Sequence, residues 1–167
     1  MYLRLNLFVL RRIYLLIFLL ILAHYHVIYL TFQNILILRF VIVVADYYPS
    51  ISQNLLYTSK KYLGNKYNIK KIFAPGAFEI PFLISKNIKK FDAFIALGCI
   101  IKGETPHYDY ISRAIHYGLM KISIENKKPI GNGVLTCLNK KQAIKRKNKG
   151  QEAAKAVHYL LTNGIKK

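Results

Sequence analysis

The chain has 167 residues, 53% of them hydrophobic and 20% charged, and its 26 Lys and Arg outnumber 7 Asp and Glu for a net charge of +19. That length suits one domain with at most a short appendage, and the apolar share excludes a disordered polyelectrolyte. Two cysteines exclude a disulfide-stapled secreted scaffold, and they lack metal-ligand spacing.

Charge and hydrophobicity belong to different stretches. The first 45 residues hold four arginines (Arg4, Arg11, Arg12, Arg39) and no acid, whereas residues 46–167 hold 22 bases and all 7 acids, a net +15. Residues 13–32, IYLLIFLLILAHYHVIYLTF, carry no formal charge over a length sufficient to cross a bilayer as a helix. His24 and His26 weaken that reading, because each is costly in hydrocarbon. No small-x-small cleavage site follows, which argues against a signal peptide. The residue usage is also what AT-rich DNA upstream of a gene would encode. The sequence therefore divides into an apolar leader, 1–33, and a basic body, 34–167.

In the body, ILILRFVIVVA (35–45) reads as a strand buried on both faces. Ser50 or Ser52 is placed to cap a helix bearing Ile51, Leu55, Tyr62 and Leu63, closed by Gly64. Ile69–Ala74 is a short strand, followed by a helix from about Ala77 to Lys90 with Pro81 in its first turn. FDAFIALGCI (91–100) is a strand, KGETP (102–106) a loop, and His107 to Asn126 a helix with Tyr108, Ile111, Ile115, Leu119 and Ile122 on one face. Pro129 to Cys137 gives a fourth strand and Gly150 to Asn163 a last helix. Apolar strands alternating with helices predict an α/β three-layer sandwich, a four-stranded parallel sheet flanked by helices. Ligands of such folds sit beyond the carboxyl ends of the strands, which points to Asp46–Ser50, Pro75–Glu79, Cys99–His107 and the neighbourhood of Asn132.

Gly103, Glu104 and Thr105 precede a helix start whose free N–H groups suit a phosphate. His107, in the first turn, either packs there or exchanges protons near neutral pH. Pro75 to Glu79 offers backbone, the Phe78 ring and the Glu79 carboxylate, a set suited to a flat heterocycle and equally to an ordinary strand–turn–helix join. Tyr47 and Tyr48 can stack on a planar ligand or pack in the core. Cys99 and Cys137 read as small buried hydrophobes. Neither a dinucleotide fingerprint nor a P-loop is present. The lysines are spread in pairs, from Lys60-Lys61 to Lys166-Lys167, without the aromatic interleaving of a nucleic-acid surface, so nucleic acid is not an expected partner.

PGAFEIP (75–81), ALGCIIKGETPHYDYI (96–111), NGVLT (132–136) and NKGQEAA (148–154), in this order, resemble the 6,7-dimethyl-8-ribityllumazine synthase family of riboflavin biosynthesis over about Ile35 to Leu161. The resemblance implies a flavodoxin-like domain assembled as pentamers or larger shells, with active sites between subunits. It implies a cytoplasmic transferase, without metal or organic cofactor, that condenses 5-amino-6-(D-ribitylamino)uracil with 3,4-dihydroxy-2-butanone 4-phosphate. On the same ground His107 is the proton-transferring residue and Tyr47 the ring stacked on the pyrimidine. Ala77, Phe78, Glu79 and Ile80 match the strip that holds ring and ribityl chain, and Cys99, Ile100 and Ile101 the strand end lining the pocket. Gly103, Glu104 and Thr105 match the phosphate loop, Arg146 the phosphate-binding arginine and Lys149 the lysine of the NKG turn.

Three departures from the family pattern stand out. The stretch from Arg146 to Lys149 is shorter than usual, Asn132 replaces an aromatic ring, and the leader is additional. Because both substrates arise in the cytosol, the leader is expected to be an overlong gene start or a degraded extension. The alternative is a membrane-anchored or shell-forming scaffold with impaired catalysis.

Overall fold

The computed structural model describes residues 12, 14–26 and 38–163. The chain divides into two units, residues 1–37 and 38–167. In the first, residues 14–26 are helical, with exposed side chains. The rest of the apolar run 13–32 lies outside the described residues, as do residues 35–37 of the expected first strand. Among the described residues no helix is long and apolar enough to cross a membrane.

The second unit follows the order β1 (Arg39–Ala45), α1 (Pro49–Leu63), β2 (Asn68–Ala74), α2 (Ile80–Asn87), β3 (Ala93–Ile101), α3 (His107–Asn126), β4 (Ile130–Cys137), α4 (Lys140–Lys145), α5 (Lys149–Asn163). All strand pairs are parallel, in the order β2-β1-β3-β4. The four-stranded parallel sheet flanked by helices is thus a flavodoxin-like α/β sandwich.

Strand side chains alternate between the two faces of a sheet, and here both faces are dry. Phe40, Ile42, Val44, Ile95, Leu97, Cys99, Leu135 and Cys137 meet Leu55 and Leu63 of α1 and Ala153, Ala154 and Val157 of α5. Val41, Val43, Phe94, Ala96 and Val134 meet Ile80 and Ile84 of α2 and Ile115 and Leu119 of α3. β2 lies at the edge, and its exposed Lys70 and Lys71 discourage pairing with another strand.

Close approach of α5 fixes two glycines, one of them in the NKG motif. A Cβ at Gly150 would fall on the Leu55 carbonyl of α1 and within 2.7 Å of Thr58 Oγ1. One at Gly131 would fall on the Ala153 carbonyl.

The structure departs from the sequence reading at several places. Neither Ser50 nor Ser52 caps α1: Tyr48 is the N-cap, without a side-chain cap bond, and Pro49 opens the helix. Ser52 instead points inward, donating to the Ala45 carbonyl at 2.5 Å and to that of Tyr48 at 3.1 Å, which ties α1 to the end of β1. α2 covers only Ile80–Asn87. Proline fits only the first turn, and Lys128 Nζ takes the Ile88 and Phe91 carbonyls at 2.6 and 2.5 Å where the chain leaves the helix. The short helix α4 was not expected. Its signal is Asn139 with Gln142 three residues on: Asn139 Oδ1 accepts the Gln142 N–H at 3.0 Å, and Gln142 Oε1 accepts that of Leu138 at 2.9 Å. Asn132 is not at a strand end. It pairs with Ala96 in the body of the sheet, and β4 runs on to Cys137.

Candidate active site

The strand order reverses direction between β1 and β3, and a ligand crevice opens at such a switch point. A cavity of about 320 Å³ lies there, lined by segments that follow three neighbouring strands. After β1 come Tyr47 and Tyr48; after β2 come Gly76, Ala77 and Phe78; β3 ends in Cys99, Ile100 and Ile101. Gly103, Thr105, His107, Tyr108 and Ile111 close the remaining side.

Each group is held by local structure. Asp46 N–H donates to the Ala74 carbonyl at 2.9 Å, so the segments after β1 and β2 leave the sheet together. The Tyr47 and Tyr48 rings meet edge-on, with centroids 4.9 Å apart. Tyr48 is half-buried against the core, while Tyr47 is 69% exposed and presents its ring to the cavity. Burial, then Tyr47 and Cys99 beside it, raises the Tyr48 phenol above its ordinary pKa. His107 is the first residue of α3, after an N-cap Pro106 that makes no side-chain cap bond, and it is exposed on the cavity wall. A Cβ at Gly103 would meet nothing within 4 Å, so the space beside that backbone is open. Cys99 forms buried wall: burial, followed by the Cys137 thiol, pushes its own thiol up to about 12. It is a neutral, apolar surface at physiological pH.

Of the residues singled out in the sequence, Tyr47, Ala77, Phe78, Cys99, Ile100, Ile101, Gly103, Thr105 and His107 line this cavity. Gly76, Tyr48, Tyr108 and Ile111 line it as well. Tyr108 and Ile111 were placed on one face of the helix and within the motif 96–111 but given no site role, and their position one and four residues beyond His107 is what brings them to the cavity. Glu79 is the half-buried N-cap residue of α2, and its carboxylate folds back toward Gly76. Ile80 is fully buried beneath the sheet, and Glu104 is exposed in the loop beside Gly103.

The other three lie elsewhere on the same chain. Arg146 and Lys149 line a second cavity, of about 380 Å³, with Val134, Leu135 and Thr136 of β4 and with Lys145, Asn148 and Glu152. The short Arg146–Lys149 connection is a tight turn, in which Lys149 N–H donates to the Arg146 carbonyl at 3.0 Å and Thr58 Oγ1 donates to that of Lys147 at 3.1 Å. Asn132 is exposed on β4, and its Oδ1 accepts the Val134 N–H at 3.0 Å. Among the described residues no three His, Cys, Asp or Glu side chains converge as metal ligands.

A sequence profile of the family described as 6,7-dimethyl-8-ribityllumazine synthase matches residues 37–163. The 6,7-dimethyl-8-ribityllumazine synthase of Corynebacterium kroppenstedtii is 40% identical over 125 residues, covering 70% of this chain and 78% of that one. The enzyme of the same name from Buchnera aphidicola subsp. Baizongia pistaciae is 47% identical over 126 residues, covering 68% and 79%. That from Aliarcobacter butzleri is 44% identical over 101 residues, covering 56% and 65%. With a profile matched from before β1 to the end of α5, and the motif residues gathered at the switch point, the chain belongs to the 6,7-dimethyl-8-ribityllumazine synthase family.

Proposed function

We propose that the chain condenses 5-amino-6-(D-ribitylamino)uracil with 3,4-dihydroxy-2-butanone 4-phosphate in the cytoplasm, and that the switch-point cavity is where it does so. Membership of the family carries the reaction. The observation that carries the site is the convergence of His107, the Tyr47 ring and the open backbone at Gly103 on one crevice.

The amine of the pyrimidine attacks the ketone, and loss of water gives an imine. Phosphate then leaves by elimination, and ring closure with a second dehydration completes the lumazine. Every step moves a proton, and an exposed imidazole at the crevice wall can give and take them in turn. Tyr47 stacks on the pyrimidine, while Ala77, Phe78, Glu79 and Ile80 hold ring and ribityl chain. Gly103, Glu104 and Thr105 receive the phosphate, and Arg146 and Lys149 neutralise it. Fixing both substrates in one crevice supplies much of the remaining rate.

Arg146 and Lys149 line a second cavity rather than that of His107, and Asn132 lines neither, which supports a full site assembled from neighbouring copies, as in a homopentamer or larger shell. An unusually apolar surface supports this. Tyr110, Tyr117 and Ile124 recur every seven residues along α3 with Met120 beside them, each at least 62% exposed. Phe78 and Phe82 expose further aromatic area.

His107→Ala tests the assignment of the proton-transferring residue. Lumazine formation is expected to fall at least about tenfold, and more toward a hundredfold, with kcat affected more than either KM. A variant with unchanged kcat would remove His107 from the chemistry.

A further inference from the structure

The second cavity is an anion site by composition. Lys145, Arg146 and Lys149 line it against one carboxylate, Glu152, a net of +2, and Thr136 and Asn148 add a hydroxyl and an amide. Two of the three cations are already engaged within the chain. Lys149 Nζ pairs with Glu152 Oε2 at 3.0 Å. Arg146 Nη1 turns back along α4 to the Gln142 carbonyl at 3.4 Å and toward Cys137 Sγ at 4.0 Å. Among the described residues, Lys145 Nζ has neither a carboxylate nor a hydrogen-bond acceptor, and the residue is exposed. Lys145 is the last residue of α4 and Lys149 the first of α5, so the tight turn brings both residues to the lining of one cavity.

We infer that Lys145 is a substrate-holding residue: its ammonium meets the phosphate of the ketone substrate and supplies the charge that Arg146 and Lys149 have partly committed inside the chain. The inference rests on the proposed function and extends it to a residue that neither the motifs nor the family pattern picks out. A phosphate monoester dianion matches the cavity's surplus of two positive charges. The shortened turn supplies the reason for a third cation here, since it restricts how far Arg146 can leave α4. Lysine serves as a point charge in this role, so Arg should substitute for it while neutral residues should not.

The test compares the full chain with Lys145→Ala, Lys145→Gln and Lys145→Arg. Loss of one charge-assisted contact predicts a KM for the phosphate-bearing ketone raised about tenfold in the Ala and Gln variants, with the KM for the ribitylaminouracil within about twofold. The Arg variant should recover most of the loss. In parallel, inorganic phosphate titrated against each chain by calorimetry should bind about tenfold more weakly to the neutral variants than to the unsubstituted chain. Unchanged KM and unchanged phosphate binding in a chain that turns over normally would overturn the role of Lys145 and leave the reaction intact. If the unsubstituted chain forms no lumazine, the proposed function fails, and the phosphate titration still decides Lys145, since equal binding by all four chains would overturn it.

Discussion

At the scale of single residues, the cavity wall is shaped by side chains kept neutral. Cys99 is nearly fully buried where β3 ends, and its thiol, pushed up to about 12, stays protonated. The sign of its effect on stability follows. An unfolded thiol ionises above about 9.0, whereas the folded one does not, so the folded state loses ground as pH rises from about 9 toward 12. Tyr48 and Tyr67, whose phenols burial also raises, act in the same direction from higher pH. Urea midpoints measured from about pH 8 to 11 should therefore decline, and Cys99→Ala should flatten the early part of that decline. An identical decline in the variant would show that Cys99 does not titrate as its burial requires. The place of His107 at the crevice was legible because a helix start is marked by proline and a loop of small polar residues, while its role came from the resemblance alone. Residue type alone could not separate Tyr48 from Tyr47, since adjacent residues differ only in which side of the chain they face, and it was the resemblance that singled out Tyr47.

Elements set how far those residues can be read. β1 and β3 were legible because both faces are buried and, after Arg39, every position is apolar, while the edge strand β2 reads more weakly, with two exposed lysines at its centre. The position of Asn132 was not legible: the extent of β4 was close, but its register against Ala96 is a property of pairing, which spacing alone does not give. α4 is six residues long and lacks a clear apolar stripe, so only its Asn139–Gln142 cap announces it. The glycine of the NKG turn reads as part of a motif, yet its reason is packing, because α5 crosses α1 with the Leu55 carbonyl where a side chain would be. Gly150→Ala forces those helices apart and should cost about 1–3 kcal/mol, read as a lower urea midpoint. A midpoint equal to that of the unsubstituted chain would contradict the packing described. Lys128, holding the carbonyls of Ile88 and Phe91, and Asp92 perform a similar joining role. Burial works against the Asp92 carboxylate, but the Arg39 backbone and guanidinium and the Lys128 charge outweigh it and hold its pKa below the ordinary value.

For the whole molecule, the sequence yielded the sandwich and most of the cavity wall, since both follow from apolar runs and loop composition. It did not reveal that the proposed site residues divide into two cavities, because the division depends on which edge of the sheet each segment reaches. That division leads to a definite expectation. If His107 of one copy works with Arg146 of another, His107→Ala and Arg146→Ala chains, each nearly inactive, should regain activity when unfolded and refolded together. Random assembly across a head-to-tail interface leaves about one site in four with both native groups, so recovery should approach one quarter of the unsubstituted rate. No recovery would place both groups in a single chain's site. The +15 of residues 46–167 is largely a solvated surface, and Lys145, Arg146 and Lys149 are the charges gathered where a phosphate is expected. The measurement that bears most directly on the account is the initial rate of lumazine formation, followed by absorbance, with the two purified substrates and either the full chain or one lacking residues 1–33. Equal turnover by both is the predicted result, and no product from either would contradict the reaction assigned to the switch-point cavity.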